Sequence, residues 1–158
     1  MAKLKEIEKH LKKLGLKYKI IELGAEIFRV ADVIAAGVNA DAVVKTLLVR
    51  SEFKRGLKFE LDYVACAICG RDRLNFKKVK RLFGTKAELA RADEVQKVVG
   101  VPVGAVCPIE IGVPVYFDKR VLKLKEVNLG SGDLTKGLDM TLGDLLKAVG
   151  PYEVAELV

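Results

Sequence analysis

The chain has 158 residues, enough for one domain that buries roughly 68–70% of its unfolded surface. It is 51% hydrophobic but only 6% aromatic, with no tryptophan, so its core is aliphatic; no apolar run approaches the roughly 20 residues that span a bilayer. Twenty-eight Lys and Arg against 21 Asp and Glu leave a formal charge of +7, which favours polyanionic partners.

Taken in order, Leu4, Ile7, Leu11 and Leu14 recur at helical spacing, and Gly15 ends that helix. Residues 16–23 read as a strand and 28–36 as a short helix, with Val30, Val33 and Ile34 facing inward and Gly37 at its end. Asn39 or Asp41 caps a brief turn before the apolar strand 43–50. A second strand spans 57–67; Leu57, Phe59, Leu61 and Tyr63 alternate with charge at one end, whereas 64–68 is apolar on both sides. Asn75 caps a basic helix over 76–83 with Phe76, Val79, Leu82 and Phe83 as its buried stripe. A short strand at 86–89 precedes a helix that opens at Ala92 and stops at Gly100. Strands follow at 113–117, 126–129 and 138–140, then a helix over 142–149 capped by Thr141 and a last strand ending at Val158. Strands and helices mix without βαβ alternation. The expectation is a single α+β domain over 1–158, with a mixed, strongly bent, barrel-like sheet surrounded by helices. The charged start, Met1-Ala2-Lys3-Leu4-Lys5-Glu6, lacks the apolar centre of a secretory signal, and a cytoplasmic location is the expectation.

Few residues can carry chemistry. The one histidine, His10, falls on the amphipathic first helix and is expected at the surface, so a Ser-His-Asp or Cys-His nucleophile and a histidine-ligated zinc site are nearly excluded. Neither a metal nor a cofactor is expected. Cys66-Ala-Ile-Cys69 matches C-x-x-C, but on a strand residues three apart point to opposite faces. A thiol redox role is therefore the weaker alternative to two reduced, buried cysteines. Lys45 interrupts the apolar run Val43-Val44-Lys45-Thr46-Leu47-Leu48-Val49, so its ammonium must either snorkel out at a strand end or point into a wet cavity. Thr46 adds a hydroxyl to the same strand. Gly100, Gly104 and Pro108 punctuate an uncharged loop that is either a buried turn or a lining whose backbone amides face a ligand. Gly130-Ser131-Gly132-Asp133 has ordinary turn chemistry. Basic residues crowd the first helix and a second segment that includes Lys77, Lys78, Lys80 and Arg81; these are either solvated helix faces or phosphate contacts.

The order of a Lys-Thr strand, a Gly-x-x-x-Gly-x-x-x-Pro loop, a Pro-Val-Tyr-Phe-Asp strand, a Gly-Ser-Gly-Asp turn and a terminal helix and strand resembles the YbaK family. Its members are free-standing relatives of the editing domain inserted in bacterial prolyl-tRNA synthetases. The resemblance runs from about Val30 to the C-terminus. It implies an aminoacyl-tRNA deacylase acting in trans on mischarged tRNA, with tRNA-Pro carrying alanine or cysteine, or another small amino acid, as substrate. It implies that Lys45, Gly104, Ala105 and Pro108 serve catalysis and that Thr46, Gly100, Cys107, Ser131, Gly132 and Asp133 bind the substrate. The tRNA would lie on Lys77, Lys78, Lys80 and Arg81, with a synthetase as a further partner and no DNA. It further implies that the ribose hydroxyl of the substrate assists the water, since no histidine base exists. The rival within the same resemblance is a non-catalytic module that binds tRNA or a synthetase.

Overall fold

The computed structural model describes residues 2–158. Helix α1 (Ala2–Lys13) buries Leu4, Ile7 and Leu11 on one stripe, and each fully buried aliphatic side chain stabilises by about 1.5–3 kcal/mol. The helix closes where Gly15 takes a left-handed φ of +68° and the Leu16 N–H reaches the Leu11 carbonyl at 3.0 Å. Leu14 continues the stripe in sequence but lies beyond the last helical residue and is half exposed. His10 departs from its expected surface position. Its Nδ1 lies 2.8 Å from Glu110 Oε1 and its Nε2 2.9 Å from the Ala148 carbonyl, so it ties α1 to two distant segments.

Strand β1 (Lys19–Glu22) leads to α2 (Val30–Ala35), which starts two residues later than the pattern suggests and has no fully buried side chain. Strands β2 (Val44–Arg55) and β3 (Lys58–Cys69) form a long antiparallel hairpin. Helix α3 (Phe76–Phe83) begins at Asn75, whose side chain accepts the Lys77 N–H at 3.0 Å. Then come β4 (Glu88–Leu89), α4 (Ala92–Val99), β5 (Val115–Asp118), β6 (Glu126–Gly130), β7 (Lys136–Thr141), α5 (Leu142–Val149) and β8 (Glu153–Ala155). Thr141 Oγ1 caps α5 by accepting the Asp144 N–H at 3.1 Å.

The strands make two sheets rather than one bent barrel. A three-stranded antiparallel sheet has the order β1-β7-β6, and a five-stranded mixed sheet has the order β4-β2-β3-β5-β8. Among the described residues they are joined by one isolated parallel bridge, Val43 to Asn128, and no sheet closes on itself. The edge strands β4 and β8 have two and three residues, too short to carry pairing around a barrel. The five-stranded sheet is covered on both faces. Val44, Leu48, Ala65, Ala67 and Phe117 enter the main core with α1 and α5, while Val49, Cys66 and Ile68 pack beneath α3 with Leu157. Alternation therefore survives in the hairpin only where neighbours cover it. β4 pairs at Val49 and Arg50 and β5 at 65–67, and beyond them Leu61 and Leu57 stand exposed.

Candidate active site

Where β2 begins, beside the Val43–Asn128 bridge, the two sheets part and leave a cavity of about 430 Å³. Its floor is the start of β2, from Val43 to Leu47, with Asn128, Leu129 and Gly130 of β6. One wall is the segment that carries Ile27, Phe28 and the α2 residues Val30 and Val33; the other is the loop at Val103, Gly104 and Val106. The wall segment hangs on the turn before β7, through Leu23 N–H to the Thr135 carbonyl and Ile27 N–H to the Leu134 carbonyl, both 2.9 Å. Phe28 and Val103 are exposed at the rim.

Two neighbouring residues of β2 supply unpaired polar groups. Lys45 makes no hydrogen bond or ion pair among the described residues, and burial, then the nearby Arg73 charge, push its ammonium below the usual lysine range against the pull of Asp72. Thr46 is 6% exposed, and its Oγ1 has no partner among the described residues. A buried hydroxyl left without a partner costs about 1–3 kcal/mol, and this oxygen is sealed from solvent although its residue belongs to the cavity wall.

Across the cavity Asp133 is its one acidic lining residue, against the four bases Arg29, Lys45, Arg73 and Lys136. The Thr135 N–H at 2.9 Å and hydroxyl at 2.7 Å both donate to Asp133 Oδ1, and these bonds, the backbone one foremost, hold its carboxyl below the usual range. Ser131 is fully buried in the same turn, donating to the Lys136 carbonyl at 2.7 Å and accepting the Asp133 N–H at 3.2 Å. The Gly132 N–H reaches the Ala105 carbonyl at 2.9 Å, which ties this turn to the glycine loop.

Of the residues singled out in sequence, Lys45, Thr46, Gly104 and Asp133 converge on the cavity. The others stand around it. Gly100 ends α4 with a φ of +76°, donating to Gln96. Ala105 gives its N–H to the Pro102 carbonyl at 2.9 Å and so presents no free amide. Cys107 and Pro108 are buried outside the lining, and burial pushes the Cys107 thiol up to about 12. Ser131 and Gly132 shape the turn rather than line the space. On α3, Lys78 donates to the Val158 carbonyl at 2.7 Å, and with Arg81 it borders a separate depression beside Lys119; Lys80 borders another beside Arg50, and Lys77 lines neither of these nor the cavity. Arg29, Arg73, Lys136 and Asn128 are cavity residues that the sequence reading passed over. Arg73 stood inside a run read only as basic, and nothing local distinguishes it from Arg71.

An α+β domain whose two sheets diverge over a largely apolar, ligand-sized cavity with mostly cationic charged residues is the class that the fold and site define. Residues 26–148 match the aminoacyl-tRNA editing domain family, and the chain belongs to that family. It is 32% identical over 96 residues, 60% of its length, to a proline–tRNA ligase of Caldicellulosiruptor bescii. It is 39% identical over 86 residues, 54% of its length, to that of Desulfovibrio desulfuricans. These stretches amount to 15% and 14% of the ligases, so the chain corresponds to a small part of them. The crystal structure of a hypothetical protein superposes with a TM-score of 0.81 at 30% identity, covering 96% of this chain and 98% of that one. A candidate trans-editing enzyme for prolyl tRNA synthetase superposes with a TM-score of 0.79 at 25% identity, over 99% and 97%.

Proposed function

We propose that this chain is an aminoacyl-tRNA deacylase that acts in trans, hydrolysing the ester between a wrong, small amino acid and the 3′ adenosine of tRNA. The observation that carries the reading is the polarity of the cavity, in which unpaired Lys45 faces a space whose one acidic lining residue is Asp133. An aminoacylated 3′ end has matching chemistry: an α-ammonium at one end, a phosphodiester at the other and a neutral ester between. Asp133, kept ionised by Thr135, suits the ammonium, and Lys45 suits the anionic side. Thr46, in the same stretch of lining, is the further candidate for binding the substrate. The likeness to proline–tRNA ligases and to the trans-editing candidate makes tRNA-Pro carrying alanine or cysteine the first substrate to try.

Catalysis would rest on orientation and electrostatics. The loop carrying Gly104 meets the developing oxyanion with main-chain N–H groups, Ala105 excepted because its own is committed to Pro102. The resemblance to editing domains implies that the ribose hydroxyl of the substrate assists the water; among the described residues no histidine lines the cavity. Selection among amino acids would come from cavity size, worth about 1–3 kcal/mol per methylene.

The test is deacylation of a panel of mischarged tRNAs by the purified protein and by Lys45→Ala. The expected result is hydrolysis of small aminoacyl esters and a loss of about tenfold or more in the variant at unchanged circular dichroism, the scale of one charge-assisted contact. Salt-sensitive tRNA binding with no hydrolysis would instead make the chain a non-catalytic editing-like module.

A further inference from the structure

The run Arg71-Asp72-Arg73 is sorted by its ion pairs. Arg71 Nη1 holds Asp41 at 3.0 Å, and Arg120 Nη1 holds Asp72 at 3.0 Å. Arg29, Arg50 and Arg91 also have carboxylate partners. Among the described arginines that leaves Arg73 and Arg81 without one; Arg81 lies on α3 away from the cavity, whereas Arg73 lines it. Lys45, the other unpaired cation of the lining, is close enough for the Arg73 charge to act on it. Two cations without an ion-pair partner held near each other repel, and Asp72, the carboxylate that acts on Lys45, is itself engaged by Arg120. An anion between them relieves that repulsion, and a guanidinium fork matches two phosphate oxygens at once.

Resting on the deacylase reading, we infer that Arg73 is a substrate-binding residue at the cavity mouth, which together with Lys45 clamps the phosphodiester on the 5′ side of the terminal adenosine. The clamp holds the end of the tRNA so that the ester enters the cavity and the acceptor strand leaves past Arg73. Arg73 is exposed and makes no hydrogen bond or ion pair among the described residues, so its replacement removes a ligand contact and not a strut of the fold.

The experiment is equilibrium binding of the trinucleotide CpCpA, of adenosine and of inorganic phosphate to the wild type, Arg73→Ala and Arg73→Lys. Arg73→Ala is expected to weaken CpCpA about 10–100-fold, the loss of one charge-assisted contact, and to leave adenosine unchanged. The salt slope for CpCpA falls by about 0.7, one phosphate contact on a single strand. Arg73→Lys restores part of the affinity. Unchanged CpCpA affinity in Arg73→Ala, or an equal loss on adenosine, overturns the clamp. Inorganic phosphate bound as tightly as CpCpA, and lost with Arg73, overturns the diester assignment in favour of a free-anion site. Arg73-dependent CpCpA binding by a protein that cleaves no mischarged tRNA upholds the clamp and removes the deacylase reading.

Discussion

Gly104 lies so close to the main chain of Ile27 that a methyl group built on it would stand 2.6 Å from the Ile27 carbonyl oxygen and 2.7 Å from Phe28 Cα. The close approach that glycine allows here is between two walls of the cavity, the loop and the segment before α2. Glycine punctuation in the sequence suggests access for a ligand; the structure uses it first to seat one backbone on another.

Gly104→Ala is therefore expected to push the Ile27–Phe28 wall aside, at a cost of about 1–3 kcal/mol from overpacking. Both melting temperature and turnover fall, and the loss in turnover is similar for alanyl and cysteinyl esters. Gly100→Ala is the control, since nothing lies within 4 Å of its added methyl and only the left-handed φ of +76° is strained, by about 1–2 kcal/mol. It should lower melting temperature and leave turnover intact. A Gly104→Ala protein that melts like the wild type would refute the packing account.

Lys45 supplies a test by pH. Burial and then the Arg73 charge lower its pKa, so the charged ammonium is lost at a lower pH than for an ordinary lysine. Arg73→Ala removes one of those two causes and leaves the larger. The alkaline limb of kcat/KM should move to higher pH in that variant while staying below the range of a free lysine. The profile is best measured on a mischarged tRNA, whose terminal phosphodiester is the group that the Lys45 charge is proposed to hold. A limb that does not move would mean that another group titrates.

Glu94 is 8% exposed and accepts the Tyr63 hydroxyl at 2.7 Å and the Arg91 N–H at 3.1 Å. The Tyr63 hydroxyl is the largest cause lowering its pKa, against burial, which raises it. A depressed carboxyl stabilises the fold above its unfolded value near 4.5, and that stability disappears as pH falls through the depressed folded value. Tyr63→Phe should therefore cost about 1.5–3 kcal/mol at pH 7, the range for hydrogen bonds to charged groups, and clearly less at pH 3. Urea unfolding at the two pH values measures the difference; an equal cost at both would point to packing of the ring instead.

The cysteines provide a test of the redox alternative. Cys66 is fully buried beneath α3, its thiol pushed up to about 12 by burial, while Cys69 packs on the opposite face of the sheet and is also raised. Side chains on opposite faces of one strand cannot meet in a disulfide. Iodoacetamide at neutral pH should label the native protein slowly and the unfolded protein at all three cysteines. Rapid native labelling of Cys66 and Cys69, or an oxidised pair by mass, would revive the thiol reading.

How much of this was legible beforehand depends on the range over which each feature is decided. The helix stripe of Leu4, Ile7 and Leu11, the caps Asn75 and Thr141, and the stop at Gly100 follow from neighbours a few residues away, and they are visible in the chain alone. So is the oddity of Lys45, because a charge within an apolar run is a local contradiction. The exposure of Leu57 and Leu61 depended on how far β4 and β5 extend along the hairpin, which no alternation in the hairpin itself records. The separation into two sheets depended in the same way on short edge strands. Only tertiary structure could distinguish Arg73 from Arg71, since their local settings are alike and what differs is a carboxylate from elsewhere: Asp41 reaches Arg71, Arg120 occupies Asp72, and Arg73 faces the cavity unpaired. Periodicity and capping are local and can be read from spacing. Charge compensation is settled by whichever side chains folding brings within reach, and that is set by contacts distant in sequence.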